Sequence, residues 1–426
     1  MKIFTIILLA VFGLSALVGL IVFATFNSSG KGGSGISDVV VWGTLPEDTL
    51  KKTLQNFTRT YPAFTKMTYV YKDPEVFIED FTEALSVGKG PDLLLISHDF
   101  ILQNEEKIRA IGGNATKPRA FRDTYIEATE PLLVSGGALM MPLLVDPLVM
   151  YYNRPLLNGA GVAVPPASWE AVAALSERMT KRAAGEARID IATIPFGTYS
   201  NVPYAHSILS LLFLQAGSSI MTRSQSGSFD VSLVDSRTTS ALRFYTDFSN
   251  PLKSVYSWNT SLPSAFTQFL AGDVAFYIAP FSERLRILAG APNLNMDMTQ
   301  VPNPQTRTTP LTTGTIYGLV LPASSGSPAD AMVLATALSQ KEVVLSLAER
   351  FGMVPVRRDA IVTENQTDPF LTIGHRSALI TKIWLSPSPQ VMEAIFGTMV
   401  DSVRSGLNDA NGAVGIAAQA LKDEVK

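Results

Sequence analysis

Two carboxylates and several aromatic side chains, each placed at the end of an apolar run, carry most of the binding chemistry in this sequence. Asp99 follows Leu93-Leu94-Leu95-Ile96-Ser97-His98, and Asp146 follows Met141-Pro142-Leu143-Leu144-Val145. A carboxylate accepts two hydrogen bonds from hydroxyls on adjacent carbons, which orients a polyol as well as holding it. Trp42 ends the run Asp38-Val39-Val40-Val41. It reads either as a π platform for a sugar ring or as a core side chain sealing a strand. Trp258, in Tyr256-Ser257-Trp258-Asn259, reads as part of an exposed loop with a ligand or partner role. Trp384 reads either as a cap over a cleft or as packing, and Thr44 and Thr313 stand where strands begin or end. Tyr199, Asn201 and Tyr204 share a Gly/Pro-rich loop, and Phe281 follows Ala279-Pro280. Asp92, between a proline and an apolar run, reads as structural.

Enzyme chemistry finds little support. A glycosidase needs a carboxylate pair at a defined separation, one with a raised pKa, and only Asp99 and Asp146 offer one. No Gly-x-Ser-x-Gly, His-Glu-x-x-His or phosphate-loop motif occurs. The absence of cysteine removes disulfides, thiolate metal sites and thiol nucleophiles. The three histidines, His98, His206 and His375, lie too far apart in sequence for a metal-ligand motif. No cofactor is expected. A net charge of −3 with 17% charged residues and no basic run argues against a nucleic-acid partner.

The elements that must position these groups follow from pattern. Asp38 to Thr44 reads as a buried strand, and Thr44 with Glu47 has capping-box spacing ahead of a helix through Leu50, Leu54 and Phe57. Met67 to Tyr71 is a second strand. Asp73-Pro74 predicts a helix start, with Ile78, Phe81 and Leu85 inward and Gly88 as its stop. Leu93 to Ile96 is a third strand. This β-α-β-α-β order predicts a doubly wound α/β sheet, whose ligands sit beyond the carboxyl ends of the strands. At 426 residues two lobes are expected.

The same stretches resemble the first lobe of bacterial extracellular solute-binding proteins of family 1, the maltose-binding-like group that serves ABC importers. The resemblance rests on the apolar-Trp-Gly opening, Tyr61-Pro62 before the second strand, and Gly88-Lys89-Gly90-Pro91-Asp92-Leu93. It continues in Met141–Pro147 leading to Tyr151-Tyr152-Asn153-Arg154, in Pro166-Ala167-Ser168-Trp169-Glu170, and in Phe269-Leu270-Ala271-Gly272-Asp273-Val274-Ala275-Phe276. It implies a periplasmic-binding-protein-like fold of two α/β lobes, residues 37–145 with 316–345 and 146–315 with 346–426, closing about a multi-crossing hinge near Asp146. In the maltose-binding member, positions matching Asp99 and Asp146 carry acidic ligand contacts, Phe281 stands where a stacking Trp does, and an aromatic near Tyr199 and Tyr204 joins the cleft. Ile96 replaces that member's Trp, which departs from maltodextrin specificity.

Residues 3–26 contain no charge and follow Lys2. At about 1.5 Å per residue such a helix crosses the roughly 30 Å hydrocarbon layer. Residues 1–26 read as a membrane anchor or a signal segment, the poor small-x-small site at Ala24-Thr25-Phe26 favouring an uncleaved anchor, with residues 27–36 as a flexible Gly/Ser tether and the body on the extracellular or periplasmic side. The resemblance implies a monomer that captures a solute, most readily a sugar, and delivers it to a permease. A tethered ligand sensor or scaffold without transport is the alternative.

Overall fold

The computed structural model describes residues 37–182, 188–224, 227–362 and 368–425. The expected anchor and tether lie outside the described residues, among which no single helix is long and apolar enough to cross a membrane.

β1 (Val39–Gly43) lies between β2 (Met67–Tyr71) and β3 (Leu93–Ser97), parallel to both, with Val41 opposite Tyr69 and Leu93. Their apolar runs are buried on the side that meets the helices. Asp92 fixes the entry to β3. One carboxylate oxygen accepts the Val40 N–H at 3.0 Å, and the other accepts from Ser325 Oγ and the Ser327 N–H, each at 3.1 Å. α1 (Glu47–Thr60) buries Leu50, Thr53 and Phe57. The expected Thr44 capping box does not form. Pro46 occupies the cap position, its fixed φ suiting helix entry, while the Thr44 N–H continues the ladder to the Leu95 carbonyl at 3.2 Å. α2 (Phe77–Ser86) starts later than expected, because Asp73 accepts the Glu75 N–H at 3.0 Å and makes a turn instead of a cap. Its buried face is Phe77, Phe81 and Ala84, which leaves Ile78 exposed.

Two long strands tie the molecule together. The first crossing strand, Met141–Asn153, pairs through its first half with the second crossing strand, Thr312–Pro322. Its second half pairs with Phe276–Pro280 and Met296–Gln300. The second crossing strand pairs antiparallel with β3 from Tyr317 to Val320. The sheet therefore runs Phe276–Pro280, first crossing, second crossing, β3, β1, β2. Thr315 stands directly opposite Asp146, so the two expected crossing points are cross-strand partners.

Gly314 is required there. A Cβ at this position would lie 2.6 Å from the Asp146 carbonyl oxygen and 2.7 Å from the Pro147 Cα, both backbone atoms that cannot swing aside. Gly314→Ala is expected to cost about 1–3 kcal/mol in urea unfolding, as overpacking in a closed ladder does. A variant as stable as the parent would mean that the crossing strands part freely.

The boundary expected between residues 345 and 346 is corrected. It falls inside one continuous helix, Lys341–Phe351, which buries Val343, Val344, Leu347, Ala348 and Phe351. Ser346 lies 3.0 Å from Thr53 of α1, Oγ to Oγ1, so the helix packs against α1 of the first lobe. The chain turns only at Gly352, at φ +65°.

Candidate ligand-binding cleft

A cleft of about 560 Å³ opens beyond the carboxyl ends of β1 and β3. Its other walls are the segment entering helix Ala205–Ala216, the start of the second crossing strand, and residues 384–393. Of the ten side chains singled out from sequence, Thr44, Asp99, Tyr199, Tyr204, Thr313 and Trp384 line it together.

Asp99 sits in a short turn, His98–Phe100, directly after β3. Its Oδ1 accepts a 2.7 Å hydrogen bond from Ser386 Oγ and lies 3.7 Å from His98 Nε2. The Ile316 N–H donates to His98 Nδ1 at 3.2 Å, which leaves the imidazole proton on Nε2, facing the carboxylate. Tyr204 donates to Glu283 Oε2 at 2.8 Å. Burial first, and then the Glu283 carboxylate, push its phenol well above the ordinary value, so it remains a donor. Tyr199 reaches the Met392 carbonyl at 3.4 Å, and burial together with the nearby Glu393 charge raises its phenol too. Between these tyrosines Asn201 serves the scaffold, donating to the Asn259 and Leu262 carbonyls at 2.9 and 3.0 Å. Thr313 Oγ1 donates to the Lys382 carbonyl at 2.8 Å, and Trp384 Nε1 to Ser210 Oγ at 3.2 Å. Both contacts pin residues 382–384 against the cleft floor.

The other four expected residues stand elsewhere. Trp42 is half-buried beneath the Lys72 ammonium, which lies 4.1 Å above its ring. Asp146 is buried. Its Oδ1 accepts the Ser282 N–H at 2.9 Å and its Oδ2 the Ser282 hydroxyl at 2.5 Å, so it ties the first crossing strand to helix Glu283–Gly290. Burial raises its pKa to about 6, against the lowering effect of Ser282 and Arg284. Asp146, committed in this way, does not join Asp99 in the cleft, so the pair of Asp99 and Asp146 that the sequence offered for glycoside hydrolysis is not assembled. Phe281 is fully buried, with the Arg284 guanidinium 3.8 Å from its ring centre. Gly374 packs so near that a Cβ there would meet the ring at 2.6 Å. The exposed-loop reading of Trp258 is corrected: the residue is completely buried and donates from Nε1 to Asn201 Oδ1 at 3.1 Å.

Several lining residues escaped the sequence reading. Tyr317 was within reach, because Thr313, Thr315 and Tyr317 alternate along one strand and share its face. His206 was passed over as an isolated residue. In the fold it contacts the rings of Trp384 and Phe396, with centroids 6.2 and 5.7 Å away. Its Nε2 is shielded from water and has no hydrogen-bond partner among the described residues, and burial pushes its pKa down to about 4. Glu393 begins a π-helical turn, Glu393–Gly397, for which the local sequence gives no signal.

The fold and the cleft define a two-walled solute-binding architecture. The family model for bacterial extracellular solute-binding protein matches residues 43–344, and the chain belongs to that family. The maltose-binding-like resemblance extends to solved structures. The cyclic alpha-maltosyl-1,6-maltose binding protein from Arthrobacter globiformis superposes with a TM-score of 0.75 at 18% identity, covering 92% of this chain and 100% of that one. A cyclo/maltodextrin-binding protein complexed with maltotetraose gives 0.74 at 16% identity over 94% and 99%. The GacH receptor of Streptomyces glaucescens gives 0.72 at 16% identity over 92% and 99%. At these identities the likeness is one of fold. A putative binding protein of Brucella abortus is 26% identical over 97 residues, 22% of this chain and 24% of that protein. That match therefore spans about a quarter of the relative's length. These relatives are binding proteins rather than enzymes.

Proposed function

We propose that this protein captures an oligosaccharide in the cleft and hands it to the permease of an ABC importer, with residues 3–26 anchoring it in the membrane and the body outside. The observation that carries the reading is the meeting of Asp99 with Trp384, Tyr199 and Tyr204 in one cleft. A carboxylate for paired hydroxyls beside aromatic faces for C–H stacking is the chemistry a sugar ring requires. Solved relatives of the same fold hold or bind maltooligosaccharides, which supports the ligand class. The permease and the tether follow from the family and from the apolar N-terminal run. Closure follows from binding. Ser386 to Asp99, and the Ser388 N–H to Gln103 Oε1 at 3.1 Å, bridge the cleft walls. A ligand favours that arrangement only by its extra affinity for it.

A thermal-shift panel on the full chain tests this, with oligosaccharides set against amino acids, peptides, polyamines and phosphate esters. A sugar at about 100 times its dissociation constant is expected to add about 2.7 kcal/mol to the folded state and raise the midpoint visibly. A response confined to phosphate esters or peptides would refute the ligand class.

A further inference from the structure

The charge of the cleft lining is one-sided. Among the described residues that form it, Asp99 and Glu393 are carboxylates, one on each wall, and no lysine or arginine stands beside them. Asp99 is engaged by Ser386 and His98. Glu393 is exposed and has no hydrogen-bond or ion-pair partner among the described residues. It is held next to an aromatic face. The π-helical turn it opens brings Gly397 against Tyr199, where a Cβ would stand 3.4 Å from the ring. π-turns are rare and concentrate at functional sites. On the same cleft, His206 keeps an Nε2 shielded from water and without a hydrogen-bond partner among the described residues. A cleft walled by carboxylates of one sign focuses a negative potential, and tyrosine faces add attraction for a cation.

From this we infer that the preferred ligand is an aminated saccharide, its protonated amine held by Glu393 beside the Tyr199 ring while Asp99 takes sugar hydroxyls. Neutral oligosaccharides bind the same cleft more weakly, and Glu393 sets the difference. The inference rests on the oligosaccharide reading above and narrows it.

The test compares two sugars of the same backbone on the full chain by titration calorimetry. One is the β-1,4 trimer of glucosamine and the other its fully N-acetylated form, at about pH 5.5, because the electron-withdrawing oxygens beside a sugar amine hold it well below the range of an ordinary alkyl amine. The amine trimer is expected to bind at least about tenfold more tightly at low salt, with the advantage shrinking as added salt screens the charges. In Glu393→Gln the ratio between the two sugars is expected to fall to about one. The exposed position keeps the ligand-free unfolding midpoint of this variant at the parent value, so a folding defect would be seen separately. Equal binding of the two trimers, or tighter binding of the acetylated one, overturns the amine preference and leaves the oligosaccharide reading standing. An amine preference that survives in Glu393→Gln overturns the role of that residue. Silence from both trimers, with responses to other classes in the thermal panel, removes the saccharide reading and this inference with it.

Discussion

Phe281→Ala is expected to lower stability by about 3–5 kcal/mol, the cost of emptying a fully enclosed aromatic site. The ring is held between the Arg284 guanidinium and the backbone at Gly374, and neither can collapse into the space. Arg284 is itself buried and bonded to the Phe281 and Gly352 carbonyls, so it cannot swing into solvent without breaking both bonds. Urea unfolding of parent and variant measures the effect. Because the ring is outside the cleft, the folded variant is expected to bind sugar as the parent does. A stable variant with lost sugar binding would return Phe281 to the role of stacking platform.

The second large effect is electrostatic. Burial holds the Asp146 pKa near 6, against an ordinary 3.8, with Ser282 and Arg284 lowering it and Glu283 raising it. The folded protein therefore holds this proton more tightly than the unfolded chain does. Its contribution is full below about pH 4 and is lost as pH rises through about 6, a difference of about 3 kcal/mol at most. Asp146→Asn keeps the acceptor for the Ser282 N–H and sheds the buried charge. The variant is expected to gain up to about 3 kcal/mol at neutral pH and nothing below pH about 4. His206 works in the opposite sense. Its pKa is depressed to about 4, so its contribution is present above the unfolded value of 6.5 and is lost as pH falls through 4. The two slopes oppose each other between pH about 4 and 6, and Asp146→Asn is expected to expose the rising one. Unfolding midpoints across pH 3–8 measure this. A variant less stable than the parent at pH 7 would show that Ser282 and Arg284 more than compensate the buried charge.

The first lobe's strands were legible because their apolar runs are short, bounded and rich in β-branched or aromatic residues; β2 falls where the pattern places it. Helix starts were harder to place. Thr44 and Asp73 have capping residue types, but each spends its hydrogen bonds on the ladder or on a turn, a choice settled by tertiary register rather than local pattern. The six cleft residues found from sequence stand at strand ends, on loops before helices, or in the segment 382–388. Trp258, Phe281 and Asp146 mislead for one shared reason: a loop or strand end in sequence was covered by a distant segment. Asn201 reaches Trp258, Gly374 reaches Phe281 and Ser282 reaches Asp146. Nothing within a window of twenty residues encodes those covers.

Trp384 lines the cleft, whereas Trp42, Trp169 and Trp258, the other tryptophans of the chain, do not. Titrating the full chain with the tightest sugar of the thermal panel while following tryptophan emission therefore tests oligosaccharide capture in this cleft most directly. The account predicts a saturable change that persists in Trp258→Phe and disappears in Trp384→Phe. A flat response to every oligosaccharide, or an undiminished one in Trp384→Phe, would contradict it.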